Sequence, residues 1–226
     1  YKSILKEKEL NELIENLNKN SVIAVDTETS SLNPQEAELI GISISYADNE
    51  SFYIPLGHKN IKGLKKDLVL KKLKSILEDP SIKKVCQNTK YDFIIFKNHG
   101  IELDPIEDTM LLSYTLDAGN NRHNMDILSE IHLGHKTISY KDLVGTGKKQ
   151  LNFSEIDLKS ATEYAAEDAD VTLRLYNILS QRVAEEKLNK IYEIFEKPMI
   201  KILSKLETNG IKVDDIYLKK LSKKFE

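Results

Sequence analysis

The nine residues Ser21-Val22-Ile23-Ala24-Val25-Asp26-Thr27-Glu28-Thr29 restrict what this chain can fold into more than any other stretch. A short apolar, β-branched run of this kind reads as a buried strand in the middle of a sheet. It delivers two carboxylates at its end, spaced i and i+2. Strand side chains alternate between faces, so Asp26 and Glu28 project from the same side. Two like charges so close repel each other and persist as a pair only when a cation holds them, most simply a hard metal ion with oxygen ligands. The same pair also suits a solvated strand end, and this stretch alone leaves both readings open.

The flanking sequence supplies the rest of a sheet. Leu10, Leu13, Ile14 and Leu17 fall at helical spacing within residues 7–20, so a short amphipathic helix precedes the strand. After Glu28 comes a polar turn, Thr29-Ser30-Ser31-Leu32-Asn33-Pro34, with Leu32 as its one apolar residue. Residues 39–46 alternate, with Ile40, Ile42, Ile44 and Tyr46 expected on one face and Gly41, Ser43 and Ser45 on the other. A turn at residues 47–50 leads into Ser51-Phe52-Tyr53-Ile54-Pro55, which completes an antiparallel meander of three strands. The period then changes: a helix over 68–77 stops at Asp79-Pro80, a strand follows over 82–86 and a helix over 91–98. Strand-helix alternation after a meander predicts an α/β fold with a mixed sheet flanked by helices. From Asp108 onward helical spacing dominates, over 110–116, 125–133 and a long helix from about Leu158 to Val183, with a loop through Gly145-Thr146-Gly147 between.

Composition narrows the function classes. The 226 residues suit one domain or one domain with part of another, and 40% hydrophobic residues suffice for a core. No apolar run reaches membrane-spanning length and the first residues lack a secretory signal, so the expected compartment is the cytosol. The single cysteine, Cys86, lies in a strand-like apolar run and is expected as a reduced core residue. Net charge is -3, so bulk charge does not mark a nucleic-acid binder; the lysines between Lys59 and Lys74 read as a solvated helix face. Gly145-Thr146-Gly147-Lys148-Lys149 lacks the spacing of a phosphate loop and follows helices, not a strand. His132 and His135 have ligand-like spacing, but no second cysteine or nearby acid completes a zinc set. A start at Tyr1 without methionine fits a fragment or a processed chain.

Two further acids stand out by position. Asp92 follows Asn88 by one helical turn just after a predicted strand, and Asp168 follows Tyr164 by one turn on the late long helix. Alanines around Asp168 let that helix approach the sheet closely, and its apolar neighbours Leu158, Ala161, Val171 and Leu175 set it against the core. An unpaired acid is costly there and a metal ligand is not.

D-x-E on a strand, N-x-x-x-D after a strand and Y-x-x-x-D on a late helix, in this order, match the three motifs of the DEDDy exonuclease superfamily. The text around them, including Gln87-Asn88-Thr89-Lys90-Tyr91-Asp92, Arg122-His123-Asn124-Met125-Asp126 and Tyr164-Ala165-Ala166-Glu167-Asp168-Ala169-Asp170, closely resembles the 3′-5′ exonuclease (proofreading) domain of the bacterial DNA polymerase I family. The resemblance implies a ribonuclease H-like fold over residues 1–186. The tail at 187–226, with Phe195-Glu196-Lys197-Pro198 and Leu206-Glu207-Thr208-Asn209-Gly210, resembles the helical opening of that family's polymerase domain. The polymerase motifs are missing, so this chain is not expected to synthesise DNA. By the same resemblance Asp26, Glu28, Asp92 and Asp168 hold two divalent ions, Mg²⁺ or Mn²⁺, about 3.5–4 Å apart, and Tyr164 orients the attacking water. The resemblance further implies that Asp26 bridges the two ions, that Glu28 and Asp168 complete one ion's shell and that Asp92 supports the other.

Leu32 and Tyr140 occupy the places of residues that wedge the last bases, and Gln87, Asn88, Tyr91 and Arg122 match residues that contact the strand. The implied partners are a single-stranded or frayed 3′ end of DNA and a mononucleotide product, for a monomer covalently linked to a polymerase domain. Two alternatives remain open: an RNase D-like exoribonuclease, and a spacer domain without catalysis.

Overall fold

The computed structural model describes residues 1–147 and 150–225, so Lys148 and Lys149 of the glycine-flanked stretch lie outside the described residues. Its strands are β1 (Lys2–Ser3), β2 (Val22–Thr29), β3 (Leu39–Ala47), β4 (Glu50–Pro55), β5 (Lys83–Cys86) and β6 (Ile106–Asp108). They form one mixed sheet in the order β1-β4-β3-β2-β5-β6. The expected meander is present, with β2–β3 and β3–β4 antiparallel, whereas β5 runs parallel to β2 and to β6. The strand that carries Asp26 and Glu28 thus lies inside the sheet, flanked on both sides.

Alternation along β2 sorts its side chains into two layers. Ile23 and Val25, with Ile42, Ile44 and Ile54, face α1 (Glu7–Leu17), α2 (Lys66–Leu77) and α3 (Thr89–Asn98). Ala24 faces α4 (Thr109–Asp117), α5 (Met125–Leu133) and the 28-residue α7 (Leu158–Glu185), which crosses the opposite face. Asp26 and Glu28 share the parity of Ala24 and therefore open toward α7. That helix lies close against β2, β3 and β4 because Ala161, Ala165, Ala166 and Ala169 are completely buried, leaving no large side chain to hold it off. At Gly41, which pairs with Glu28, a Cβ would lie 2.1 Å from the Tyr53 hydroxyl, so glycine is the one residue that admits the ring.

The expected alternation in β3 fails at one point. Glu28 pairs with Gly41 but Thr29 pairs with Leu39, so Ile40 is an extra residue at a bulge. The slip turns Ile40 to the α7 side, where it packs with Tyr53, Phe153 and Ile156, instead of joining Ile42 and Ile44. Among the described residues, β1, β6, α6 (Tyr140–Val144) and a 3₁₀ turn at Phe153–Glu155 have no counterpart in the sequence reading. Each has five residues or fewer, too few to show a period.

The tail continues through α8 (Asn189–Ile191), a π-helical stretch Tyr192–Glu196, α9 (Lys197–Asn209) and α10 (Asp215–Phe225). It is fastened to the sheet at a buried acid: Glu107 on β6 accepts from the Tyr192 hydroxyl at 2.9 Å and pairs with Lys197 at 3.2 Å. No residue of α10 is buried. Among the described residues, no helix is long and apolar enough to cross a membrane.

Candidate active site

The end of β2 and the third turn of α7 meet across the layer boundary. One carboxylate oxygen from each of Asp26, Glu28 and Asp168 lies within 4.8 Å of the other two. Two distant segments thus converge, and all three donors are carboxylate oxygens, the set that suits hard divalent cations such as Mg²⁺ or Mn²⁺ better than zinc. Glu28 Oε1 is buried and has no hydrogen-bond partner among the described residues. A buried orphan oxygen beside two other acids costs free energy unless something cationic or a proton meets it, so the residues fit a metal.

The electrostatics agree. Burial pushes the Asp26 carboxyl up to about 6, against the opposing pull of the Thr27 backbone N–H. Glu28 is raised well above the usual carboxylate range by burial, then by the charges of Asp26, Asp168 and Asp92. Asp168 is raised by burial and then by Asp26. Among the described residues no cationic side chain stands among the causes that shift these three acids, and the charge of Asp26 instead raises both Glu28 and Asp168.

Asp92 stands apart from these three. It comes from the first turn of α3, in the other layer, and its Oδ1 accepts from the Thr27 backbone N–H at 3.0 Å and from Thr27 Oγ1 at 2.6 Å. It therefore clamps the end of β2, and it stays close enough to Asp26 for that charge to raise its own pKa, after burial. Tyr164 lies one turn before Asp168. Its hydroxyl is held far into the protonated range by burial and then by Asp168, Glu28 and Asp26.

Residues 1–184 match the family model described as 3′-5′ exonuclease. The chain belongs to the 3′-5′ exonuclease family. It is 45% identical over 224 residues to DNA polymerase I of Rhizobium leguminosarum, covering 89% of this chain and 22% of that protein. It is 42% identical over 221 residues to DNA polymerase I of Borreliella burgdorferi, covering 97% of this chain and 24% of that protein. The chain thus spans about a quarter or less of the curated relatives it matches. The POL domain of Pol1 from M. smegmatis superposes with a TM-score of 0.78 at 20% identity, over 99% of this chain and 35% of that one. The ribonuclease H-like arrangement expected from the sequence is the one observed.

Around the acids of this exonuclease domain, the expected strand-contacting residues divide into free and occupied groups. Leu32 is 97% exposed and Tyr140 40% exposed, and the Tyr140 ring meets that of Tyr164 edge-on at 5.9 Å between centroids. Arg122 and Asn88 are also exposed, although Asn88 is not on the helical turn with Asp92: it takes a left-handed conformation, φ 64°, just before α3. Gln87 is committed at both ends, donating to the His123 carbonyl at 2.8 Å and accepting from Thr109 Oγ1. The Tyr91 hydroxyl is likewise committed, to Thr29 Oγ1 and the Ser31 carbonyl, where it braces the turn that presents Leu32.

Sequence reasoning passed over two acids that build the site. Asp108 caps two helices at once, accepting from the backbone N–H groups of Thr89 at 2.9 Å and Met110 at 2.8 Å. Asp170, fully buried, accepts from the Tyr1 hydroxyl at 2.8 Å and the Asn49 backbone N–H at 2.6 Å, tying α7 to the β3–β4 turn. Asp108 begins an apolar helical run, which is the pattern of an N-cap and the one signal that would have found it.

Proposed function

We propose that this domain removes nucleotides one at a time from the 3′ end of single-stranded or frayed DNA, releasing 5′-mononucleotides, with Asp26, Glu28, Asp168 and Asp92 holding two divalent metal ions. The single observation that carries the reading is the convergence of Asp26, Glu28 and Asp168 carboxylate oxygens within 4.8 Å of one another, with the buried Oε1 of Glu28 unpartnered among the described residues. When bound, such ions supply Lewis acidity to the phosphodiester and to the attacking water.

The protein's own groups do the rest. Thr27 fixes Asp92 through two hydrogen bonds, so that this carboxylate is preset at the edge of the cluster. Tyr164, protonated throughout the physiological range, orients a water by its hydroxyl and does not act as a base. The Tyr140 ring and the Leu32 side chain, both at the surface, offer apolar area for the terminal bases without reading base edges, which suits removal of any nucleotide. The tail from residue 187 is read as the start of a polymerase domain, and the parent as a cytoplasmic polymerase that acts as a monomer.

The test uses a 5′-labelled single-stranded oligonucleotide in Mg²⁺. Wild type gives a ladder shortened from the 3′ end, and Asp26→Ala or Asp168→Ala, folded by circular dichroism, gives none. Full activity in either variant refutes the reading. Matched DNA and RNA strands separate it from an RNase D-like exoribonuclease, which would degrade RNA faster. E. coli RNase D shares the fold, with a TM-score of 0.69 at 20% identity over 93% of this chain and 51% of that one. A domain serving only as a spacer would hydrolyse neither strand, a reading disfavoured by the retention of all four acids.

A further inference from the structure

We infer that Glu167 is a positioning residue for substrate binding, through which α7 sets the placement of Tyr140; this rests on the reading that Tyr140 grips the 3′ end. Glu167 adjoins Asp168 but points away from the carboxylate cluster. It is 6% exposed, and both of its oxygens are used by one loop: Oε1 meets His135 Nε2 at 2.8 Å, and Oε2 accepts from the Ile138 backbone N–H at 2.6 Å. Two residues after Ile138, Tyr140 opens α6, a helix of only five residues.

The loop over residues 134–139 has few other ties. His135 bonds back to Ser129 in the middle of α5, and Thr137 Oγ1 donates to Asp126 at 2.7 Å. Both contacts hold residues before Ile138; at the loop's exit, Glu167 alone among these holds the backbone next to α6. The far end of α6 is fixed by Val144, which is buried with Phe153 and Ala165. Glu167 and Tyr164 lie three residues apart on α7 and so share a face of that helix. The loop fastened by Glu167 therefore delivers the Tyr140 ring onto Tyr164, at 5.9 Å. Without the carboxylate, the first turn of α6 is tethered only through its neighbours, and the aromatic ring must be ordered when substrate arrives, a cost that appears in binding.

The experiment measures kcat and KM of the full chain on a single-stranded DNA oligonucleotide in Mg²⁺. Its variants are Glu167→Ala, Glu167→Gln, His135→Ala, Tyr140→Ala and the double variant Glu167→Ala/Tyr140→Ala. Glu167→Ala is expected to raise KM on the order of ten-fold, as loss of a charge-assisted bond would, with kcat within about two-fold. Glu167→Gln keeps an acceptor for the Ile138 N–H and restores most of the affinity, while His135→Ala, which loses one bond of two, raises KM less. The double variant is expected to bind no worse than Tyr140→Ala, because both changes remove the same contact.

A loss in kcat with KM unchanged, or additive losses in the double variant, overturns the inference and places the role of Glu167 at Asp168 instead. If Glu167→Ala does not fold, Glu167→Gln and His135→Ala decide by the same KM criterion. If Tyr140→Ala leaves KM unchanged, the reading of Tyr140 as a substrate contact fails. If it raises KM while neither His135→Ala nor Glu167→Ala does, only the positioning role fails.

Discussion

Glu28→Gln removes one charge from the carboxylate cluster with almost no change of shape, and its effect on stability can be worked out from the geometry. Glu28 lies within 4.8 Å of both Asp26 and Asp168. A pair of unit charges at that distance repels by about 3 kcal/mol at an effective dielectric constant of about 20. Glu28 is raised well above its ordinary pKa, so without metal a proton relieves part of that repulsion, and the substitution gains less than the full value of about 3 kcal/mol. No existing hydrogen bond of Oε1 is lost, since that oxygen has no partner among the described residues. For a chain of this size each kcal/mol shifts the melting temperature by about 2–4 °C, so the variant should melt higher than wild type in a chelator, by less than the roughly 6–12 °C that the full repulsion would give. The order then reverses with Mn²⁺: wild type gains about 2.7 kcal/mol at a hundred-fold excess over the dissociation constant, and the variant gains much less. The assay is thermal denaturation by circular dichroism at neutral pH, with and without Mn²⁺. Equal melting temperatures in chelator together with equal Mn²⁺ shifts would refute the argument that these acids repel one another and share a cation.

Two further predictions concern Tyr164 and Lys84. Tyr164→Phe should slow hydrolysis by about 10²–10⁴, the range for groups that handle or aim a reacting proton; an unchanged rate in a steady-state assay removes the hydroxyl from the mechanism. Lys84 is buried and donates to the carbonyls of Asp79 and Asp104, and burial lowers its pKa to about 8. The folded state therefore disfavours its charged form: below pH 8 that cost is fully present, and stability is regained as pH rises from about 8 to the unfolded value near 10.5. Lys84→Met lacks this term, so denaturant titrations should show wild type gaining on the variant by on the order of 3 kcal/mol across that window; a constant gap contradicts it.

The parts of the molecule legible in the sequence are those with a period. The β2 run, the alanine-rich face of α7 and the meander each repeat over enough residues to declare their type, and the order of three short acid motifs carried the family resemblance. What stayed hidden depends on partners distant in sequence. β1 and β6 exist because β4 and β5 pair with them, and the bulge at Ile40 is a property of the β2–β3 pairing, not of β3. The clamp of Asp92 on Thr27 spans 65 residues, so it cannot be read from N-x-x-x-D spacing alone. Nothing in the sequence around Glu167 and Asp170 marks them as buried, yet both are, because partners from distant parts of the chain fold over them.

The central claim, that Asp26, Glu28 and Asp168 are brought together to hold cations, is tested most directly by anomalous diffraction from crystals soaked in Mn²⁺ with a nucleoside 5′-monophosphate. The account predicts a Mn²⁺ peak coordinated by all three carboxylates and a second beside Asp26 on the side of Asp92. Mn²⁺ bound elsewhere, with the three acids unliganded in a crystal that contains the nucleotide, would contradict it.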